Sequence, residues 1–403
     1  EGLIADYKPY NVQAKRVDYA AVRAFKEPYL YEAYQNFQPD EAYNEFIQNA
    51  WVYNYAVFKA LKKHNDDKIW FDWPNKQKNW IKNHEFDIEP FKEDIHLEMF
   101  IQYKLYQQWT NVKNYANAHD IQCIGDIPIY VGIDSEDVWS HQESFLLDDE
   151  GRPTFIAGVP PDYFSKTGQR WGNPIYNWEY MQANHFKFWE KRLAYNLQLF
   201  DVVRIDHFRA FDTYWKIPAD CPTAQEGEWV EACGYELFDH LIKTLPSFNI
   251  IAEDLGDLRK EVLMLRDHYH FPGMKVIEFT FNPWHVESNP NKNMIVYPGT
   301  HDNQTLRSWY EGQSLRFKLR TRWALRNYAH TSMCDRFLEY TFCDEADTAI
   351  IAMQDILKLD DQARMNTPGT IGSPNWEWKM VDFTSFEQRI PTLRKMLAKG
   401  NRL

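Results

Sequence analysis

Four apolar runs in this chain end on, or carry, acidic side chains. Asp201–Trp215 reads DVVRIDHFRAFDTYW, with Val202, Val203 and Ile205 broken by Asp206-His207 and followed by Arg209. Asn249–Gly256, NIIAEDLG, ends in Glu253 and Asp254, and Ile295–Asn303, IVYPGTHDN, ends in His301, Asp302 and Asn303. Ile121–Val131, IQCIGDIPIYV, carries Asp126 mid-run. Carboxylates are almost never buried without a partner, so acids repeated at the ends of apolar runs point to one shared polar pocket. In barrels of parallel strands, the carboxyl ends of the strands carry the catalytic side chains.

The elements that must position these groups follow from spacing. Asp206 to Glu253 is 47 residues and Glu253 to Asp302 is 49. A barrel of about 250 residues uses roughly 31 per strand–helix unit. The second gap therefore holds two units, with Gly273–Phe281 supplying a strand between them. Ala346–Asp355 reads as one more. Helical patterns run from Arg259 to Tyr269 and from Gln304 to His330, with a break near Gly312. Six strands, near 121, 202, 249, 274, 295 and 347, alternate with helices. The class is α/β with a parallel sheet, closed as a barrel.

RIDHFR, AEDLG and THDN, in that order, resemble the signature regions of the α-amylase superfamily. With GDIPIYV, AGVPPDYFSKTGQRWGNPIYNW and RMNTPGT, the chain is similar to the 4-α-glucanotransferases of the amylomaltase or disproportionating type, glycoside hydrolase family 77. The likeness runs from about Ala116 to the C-terminus and more loosely before it. It implies a (β/α)8 barrel in which the Asp126 strand is the third. The opening EGLIADYKPY resembles sequence well inside that family, so the first two barrel strands are expected to be missing from an N-terminally truncated chain.

The resemblance also implies roles. Retaining cleavage of a glycosidic bond uses two carboxyl groups about 5–5.5 Å apart, one as nucleophile and one as acid and then base. Asp206 is the expected nucleophile, kept ionised by Arg204 two residues earlier on the same strand face. Glu253 is the expected acid/base, raised towards working pH by neighbouring carboxylates. Asp302, assisted by His301, is expected to bind sugar hydroxyls. His207, Asp126, Gln169, Trp171, Tyr163, Phe164 and Asn375 match sugar-contacting positions. Asn282 and Gln304 depart from the family pattern, the first where relatives often carry an acid.

Expected substrates are maltooligosaccharides and other α-1,4-glucans, with glucose as an acceptor and no cofactor or metal. The latter agrees with the lack of an HxxE or HxH cluster beside His301-Asp302. Two alternatives stand beside the transferase: a hydrolase of the same superfamily, and a non-catalytic glycan-binding barrel. The long 157–174 stretch argues against the first, and the presence of all three acids against the second.

Bulk properties fit. A formal net charge of −13 argues against nucleic acid or an anionic membrane as partner. No stretch approaches the roughly 18 apolar residues of a membrane span. Five cysteines at 123, 221, 233, 334 and 343, with no CxxC pair, read as reduced thiols of a cytoplasmic protein. An aromatic content of 16% suits a cleft whose flat rings stack on sugar faces, although most such rings serve the core.

Residues 1–92 read as a mainly helical insertion and 93–403 as the catalytic barrel, with a lid at about 132–200. Within the insertion, Asp40 is an N-cap for a helix continuing to Asn65. The helix from His96 to His119 is expected to bury Leu97, Ile101, Leu105, Trp109, Val112 and Ala116.

Overall fold

The structure is a computed structural model that describes residues 2–10, 13–161, 165–256, 258–285 and 291–403. Among these the strands are β1 (Ile124–Pro128), β2 (Phe155–Val159), β3 (Gln169–Pro174), β4 (Val202–Asp206), β5 (Thr213–Pro218), β6 (Glu228–Glu231), β7 (Ile250–Ala252), β8 (Gly273–Val276), β9 (Met294–Tyr297) and β10 (Thr348–Ala349). The chain forms two compact units, Glu1–Tyr7 with Lys26–Tyr269 and Lys8–Phe25 with His270–Leu403.

The first unit holds a parallel sheet in the order β1-β4-β7. Helices Lys92–Asn117, Lys187–Leu199 and Gly234–Thr244 precede these strands in turn, the alternation a parallel sheet needs. The β-branched residues Val203 and Ile205 of β4 are fully buried, which leaves the alternate positions Arg204 and Asp206 on the opposite face.

A second sheet, antiparallel in the order β3-β2-β5-β6, occupies part of the 155–231 region. The region expected as a lid, about 132–200, thus contains two strands, β2 and β3. Their pairing is signalled by turn geometry rather than hydrophobic alternation: Gly168 and Gly172 both have φ above +60°.

Aromatic rings fill the helical region. Trp139 stacks on Trp80 at 6.1 Å and 6°, lies 5.7 Å from Phe58, and donates its Nε1–H to the carbonyl of Lys78 at 2.9 Å. Asp40 caps its helix as expected, accepting from the Tyr43 amide at 2.7 Å. That helix stops at Phe46, however, and a new one runs from Ala50 to His64. Asn49 bonds the Phe46 carbonyl through its side chain at 2.7 Å, competing with the helical ladder.

The helix Lys92–Asn117 buries Ile95, Met99, Phe100 and Tyr103, whereas Leu105 and Val112 are more than half exposed. The expected aliphatic stripe is displaced because Phe37, Tyr43 and Phe46 pack their rings on Phe100 and Tyr103. Burying large rings outweighs burying the same number of aliphatic side chains.

The second unit holds a parallel sheet in the order β10-β9-β8. All four residues of β9 are buried, and the core continues through Leu306, Trp309, Phe337 and Leu338. The helical stretch after Gln304 breaks near Gly312 as expected, into Leu306–Gly312 and Leu315–Ala324. The run at 346 forms only the two-residue β10, because Met353–Ile356 turns helical and Asp355 accepts from the Leu306 amide at 2.8 Å. Among the described residues no helix is long and apolar enough to cross a membrane.

Gly158 of β2 has no room for a side chain. A Cβ there would run into the carbonyl oxygen of Gln169 on β3 and lie 2.7 Å from Ile217. Gly158→Ala should cost about 1–3 kcal/mol by overpacking, read as a lower denaturation midpoint with an unchanged slope.

Candidate active site

The centre of the first unit's site is Arg204. It stands opposite Asp126 in the β1–β4 register, so both project from the same sheet face as Asp206. Its Nη1 donates to Asp126 Oδ1 at 2.8 Å and Oδ2 at 3.0 Å, and Nη1 and Nη2 each reach Asp206 Oδ1 at 3.0 Å. The guanidinium side chain is 10% exposed, while each carboxylate is 45% exposed. The cation is therefore underneath and the anions face outward. Burial opposes the charge on Arg204, but Asp126, Asp206 and Glu253 outweigh it and hold the group protonated.

Glu253 follows β7 directly. Its amide donates to the carbonyl of Ile205 at 3.1 Å, extending the parallel ladder by one residue. Its Oε2 accepts from the amide of His207 at 2.8 Å and its Oε1 from that of Leu255 at 3.2 Å. Its pKa is pushed up to about 7, by burial first and by the charge of Asp206 second, against the opposing pull of Arg204 and the two amides. Desolvation, rather than the carboxylate neighbours expected from sequence, is the leading cause.

His207 makes the Glu253 contact possible. Its φ of 56° places it in the left-handed region, costly for a residue with a Cβ, and the turn it creates points its amide at Glu253. Burial, helped by nearby Arg209, lowers the imidazole pKa to about 3, so the ring is neutral. Trp171 meets that ring edge-on at 4.8 Å and 85°, and donates its Nε1–H to Gln169 Oε1 at 3.1 Å. Trp171 is 38% exposed, with its indole oriented by these two contacts. The first unit thus gathers Asp126, Gln169, Trp171, Arg204, Asp206, His207 and Glu253. Tyr163 and Phe164 lie outside the described residues.

The second unit carries His301 and Asp302 after β9. Asp302 Oδ1 accepts from Asn366 Nδ2 at 2.6 Å, its Oδ2 lies 3.6 Å from His301 Nε2, and its carbonyl accepts from Arg364 at 2.7 Å. Asn375 faces its own loop: its Oδ1 accepts from the Thr367 amide at 3.0 Å, and its Nδ2 donates to Thr370 Oγ1 at 2.9 Å.

Arg364 and Asn366 entered the sequence reading only within the RMNTPGT motif, with no role assigned, and Trp376 escaped it. Trp376, half exposed and at φ 61°, places its ring 5.2 Å from His301. The paired indoles of NWEW beside Asn375 were the available signal. Among the described residues no three His, Cys, Asp or Glu side chains are grouped to hold a metal ion.

This geometry predicts that Arg204→Met, by removing the cation that opposes its rise, moves the Glu253 pKa above about 7. A carbon-13 titration of the Glu253 carboxyl reads the shift, and an unmoved or lowered midpoint contradicts the electrostatic account.

The comparisons agree with one another. Residues 2–384 match the family model described as 4-alpha-glucanotransferase. The chain is 39% identical to the 4-alpha-glucanotransferase of Thermus thermophilus over 96% of this chain and 81% of the relative. It is 39% identical to that of Streptococcus pneumoniae, over 93% of this chain and 76% of the relative. Among solved structures, the amylomaltase from Streptococcus agalactiae in complex with acarbose superposes with a TM-score of 0.90 at 36% identity, covering 96% of this chain and 81% of that one. The fold is accordingly the α/β architecture of the α-amylase type seen in that amylomaltase. From the site and these likenesses together, the chain belongs to glycoside hydrolase family 77, the 4-α-glucanotransferases.

Proposed function

We propose that the chain moves segments of α-1,4-glucans onto the 4-OH of glucose or of another α-1,4-glucan by a retaining double displacement. The observation that carries this is the pairing of Asp206, anchored by a buried guanidinium, with Glu253, a carboxyl raised to about 7. A carboxylate nucleophile held by a cation and an acid that still holds its proton near neutrality are the two groups this reaction needs.

In the first step Glu253 gives its proton to the glycosidic oxygen as the C1–O bond breaks, and Asp206 forms the new bond to C1. The leaving glucan departs with that proton. In the second step Glu253, now ionised, takes the proton of an acceptor 4-OH. The acceptor oxygen attacks C1, and the bond to Asp206 breaks. Each step exchanges one C1–O bond for another, so no cofactor is required. Asp302, held by Asn366, is read as the group that binds sugar hydroxyls as the ring distorts, with His301 beside it. Trp171 and the 157–174 stretch are read as the cover that favours a sugar acceptor over water. Five unpaired cysteines support a reducing, cytoplasmic setting.

Maltotriose supplied alone tests the reading. Glucose should appear together with a ladder of longer oligosaccharides while total reducing ends stay constant. Reducing ends that rise without longer products would mean hydrolysis. Glu253→Gln should lower kcat/KM by about 100-fold or more. Because the first step uses protonated Glu253, kcat/KM in the parent protein should decline above about pH 7. Trp171→Ala should raise the share of products released to water a few-fold, measured as reducing ends gained per glucose formed.

A further inference from the structure

A carboxyl group that this chemistry does not use lies against the turn carrying His301 and Asp302. Glu278 stands two residues after β8, in the short helical turn Ile277–Thr280, and its amide donates to the Pro298 carbonyl at 3.0 Å. Its side chain lies against Gly299, where an added Cβ would sit 2.9 Å from Glu278 Oε1 and 3.1 Å from Asn303. Asn303 lies beside the Glu278 carboxyl at Gly299, and its Oδ1 accepts from the amide and the hydroxyl of Thr300, both at 2.9 Å. Thr300 Oγ1 in turn accepts from the amide of Asp302 at 3.3 Å. Packing at Gly299, followed by the hydrogen bonds of Asn303 and Thr300, therefore links Glu278 to the backbone of Asp302.

The surroundings suit a neutral acid. Glu278 Oε1 is buried and has no hydrogen-bond partner among the described residues. The charged groups facing it are Asp355 from the helix Met353–Ile356, Asp361 from the 3-10 turn Asp361–Ala363, and Arg364. Both acids already serve backbone amides, of Leu306 and Thr305, and Arg364 is engaged with the carbonyls of Asp302 and Asn366. An anion at Glu278 would meet two other acids with no cation of its own, and an unsolvated buried charge is strongly disfavoured.

We propose that Glu278 is a positioning residue for Asp302 that acts as a neutral carboxylic acid, holding the Pro298–Asn303 turn in the conformation seen here until it ionises. This rests on the reading of Asp302 as a substrate-binding acid. Burial and then Asp355 push the Glu278 pKa up to about 9, against the opposing influence of the nearby Asn303 amide. The folded chain therefore holds this proton from about 4.5, the value of an ordinary glutamate, to about 9, while the unfolded chain has released it. Where the folded state binds more protons, stability falls as pH rises, and here it falls across that window.

The test compares Glu278→Gln with the parent protein in thermal melts and in maltotriose disproportionation across pH. The parent should lose melting temperature relative to E278Q as pH rises from about 5 to about 9. Above about pH 9 its kcat/KM, already declining because of Glu253, should steepen from about tenfold per pH unit towards about a hundredfold, whereas E278Q keeps the shallower decline. A constant melting difference, or the same steepening in E278Q, overturns the proposal. If E278Q does not fold, infrared spectra of the parent decide. Near pH 8 a protonated-carboxyl band should persist, since Glu253, Asp355 and Glu136, each at about 7, have mostly ionised. Its absence overturns the proposal. Asp302→Asn separates the two readings. If D302N is fully active, the reading of Asp302 fails; if it is inactive but E278Q matches the parent, the role of Glu278 alone fails.

Discussion

A guanidinium taken out of water must be met by anions, and Arg204 is met by two. Asp126 and Asp206 both hydrogen-bond it, one from the neighbouring strand and one from its own. This three-way contact requires β1 and β4 to pair in parallel at one register, because a slip of one residue would turn Asp126 to the opposite face. It also requires the apolar partners Val203 and Ile205 to be buried on the far side. The alternation that buries the strand and the alternation that builds the site are one pattern.

The other elements adjust protonation around that pair. Glu253 sits where the β7 ladder continues past its last residue, and the left-handed turn at His207 delivers an amide to it. Two amides and a guanidinium pull its pKa down, while burial and Asp206 push it up, and the net result lies near neutrality. A carboxyl in that balance can both give and take a proton, which double displacement demands of one residue. In the second unit, Asp302 is fixed differently, by side chains from the 364–366 segment rather than by a sheet neighbour.

Much of this was legible in the amino-acid order. All six parallel strands, the two-residue β10 included, fall in runs located from sequence. β4, β7 and β9 are the buried, largely apolar stretches that such strands write, whereas β1 alternates exposed and buried residues and β10 is not buried. Several features resisted for physical reasons. The β2–β3 pairing depends on glycine backbone angles, which carry no hydrophobic period. The buried stripe of the helix Lys92–Asn117 was chosen by rings on other helices, a tertiary effect invisible to a local window. Arg364 and Asn366 stand in the RMNTPGT motif, but they reach Asp302 from more than 60 residues away, and the motif does not name its partner. Glu278 resembled any polar residue at a strand end, and its distinction lies wholly in what surrounds it.

The neutral imidazole of His207 has one further consequence. Within the hydrogen-bonded cluster of the first unit, two aspartates face a single guanidinium, and the nearest histidine adds no positive charge near neutral pH. The cluster is therefore net negative whether or not Glu253 holds its proton. A ligand that places a protonated nitrogen there gains an electrostatic contribution unavailable to a neutral sugar, and one that grows as the surrounding water is excluded. Within the Asp126–Arg204–Asp206 contact the excess of carboxylates over guanidinium groups thus favours a cationic over a neutral ligand, an effect that nearby Arg209 opposes.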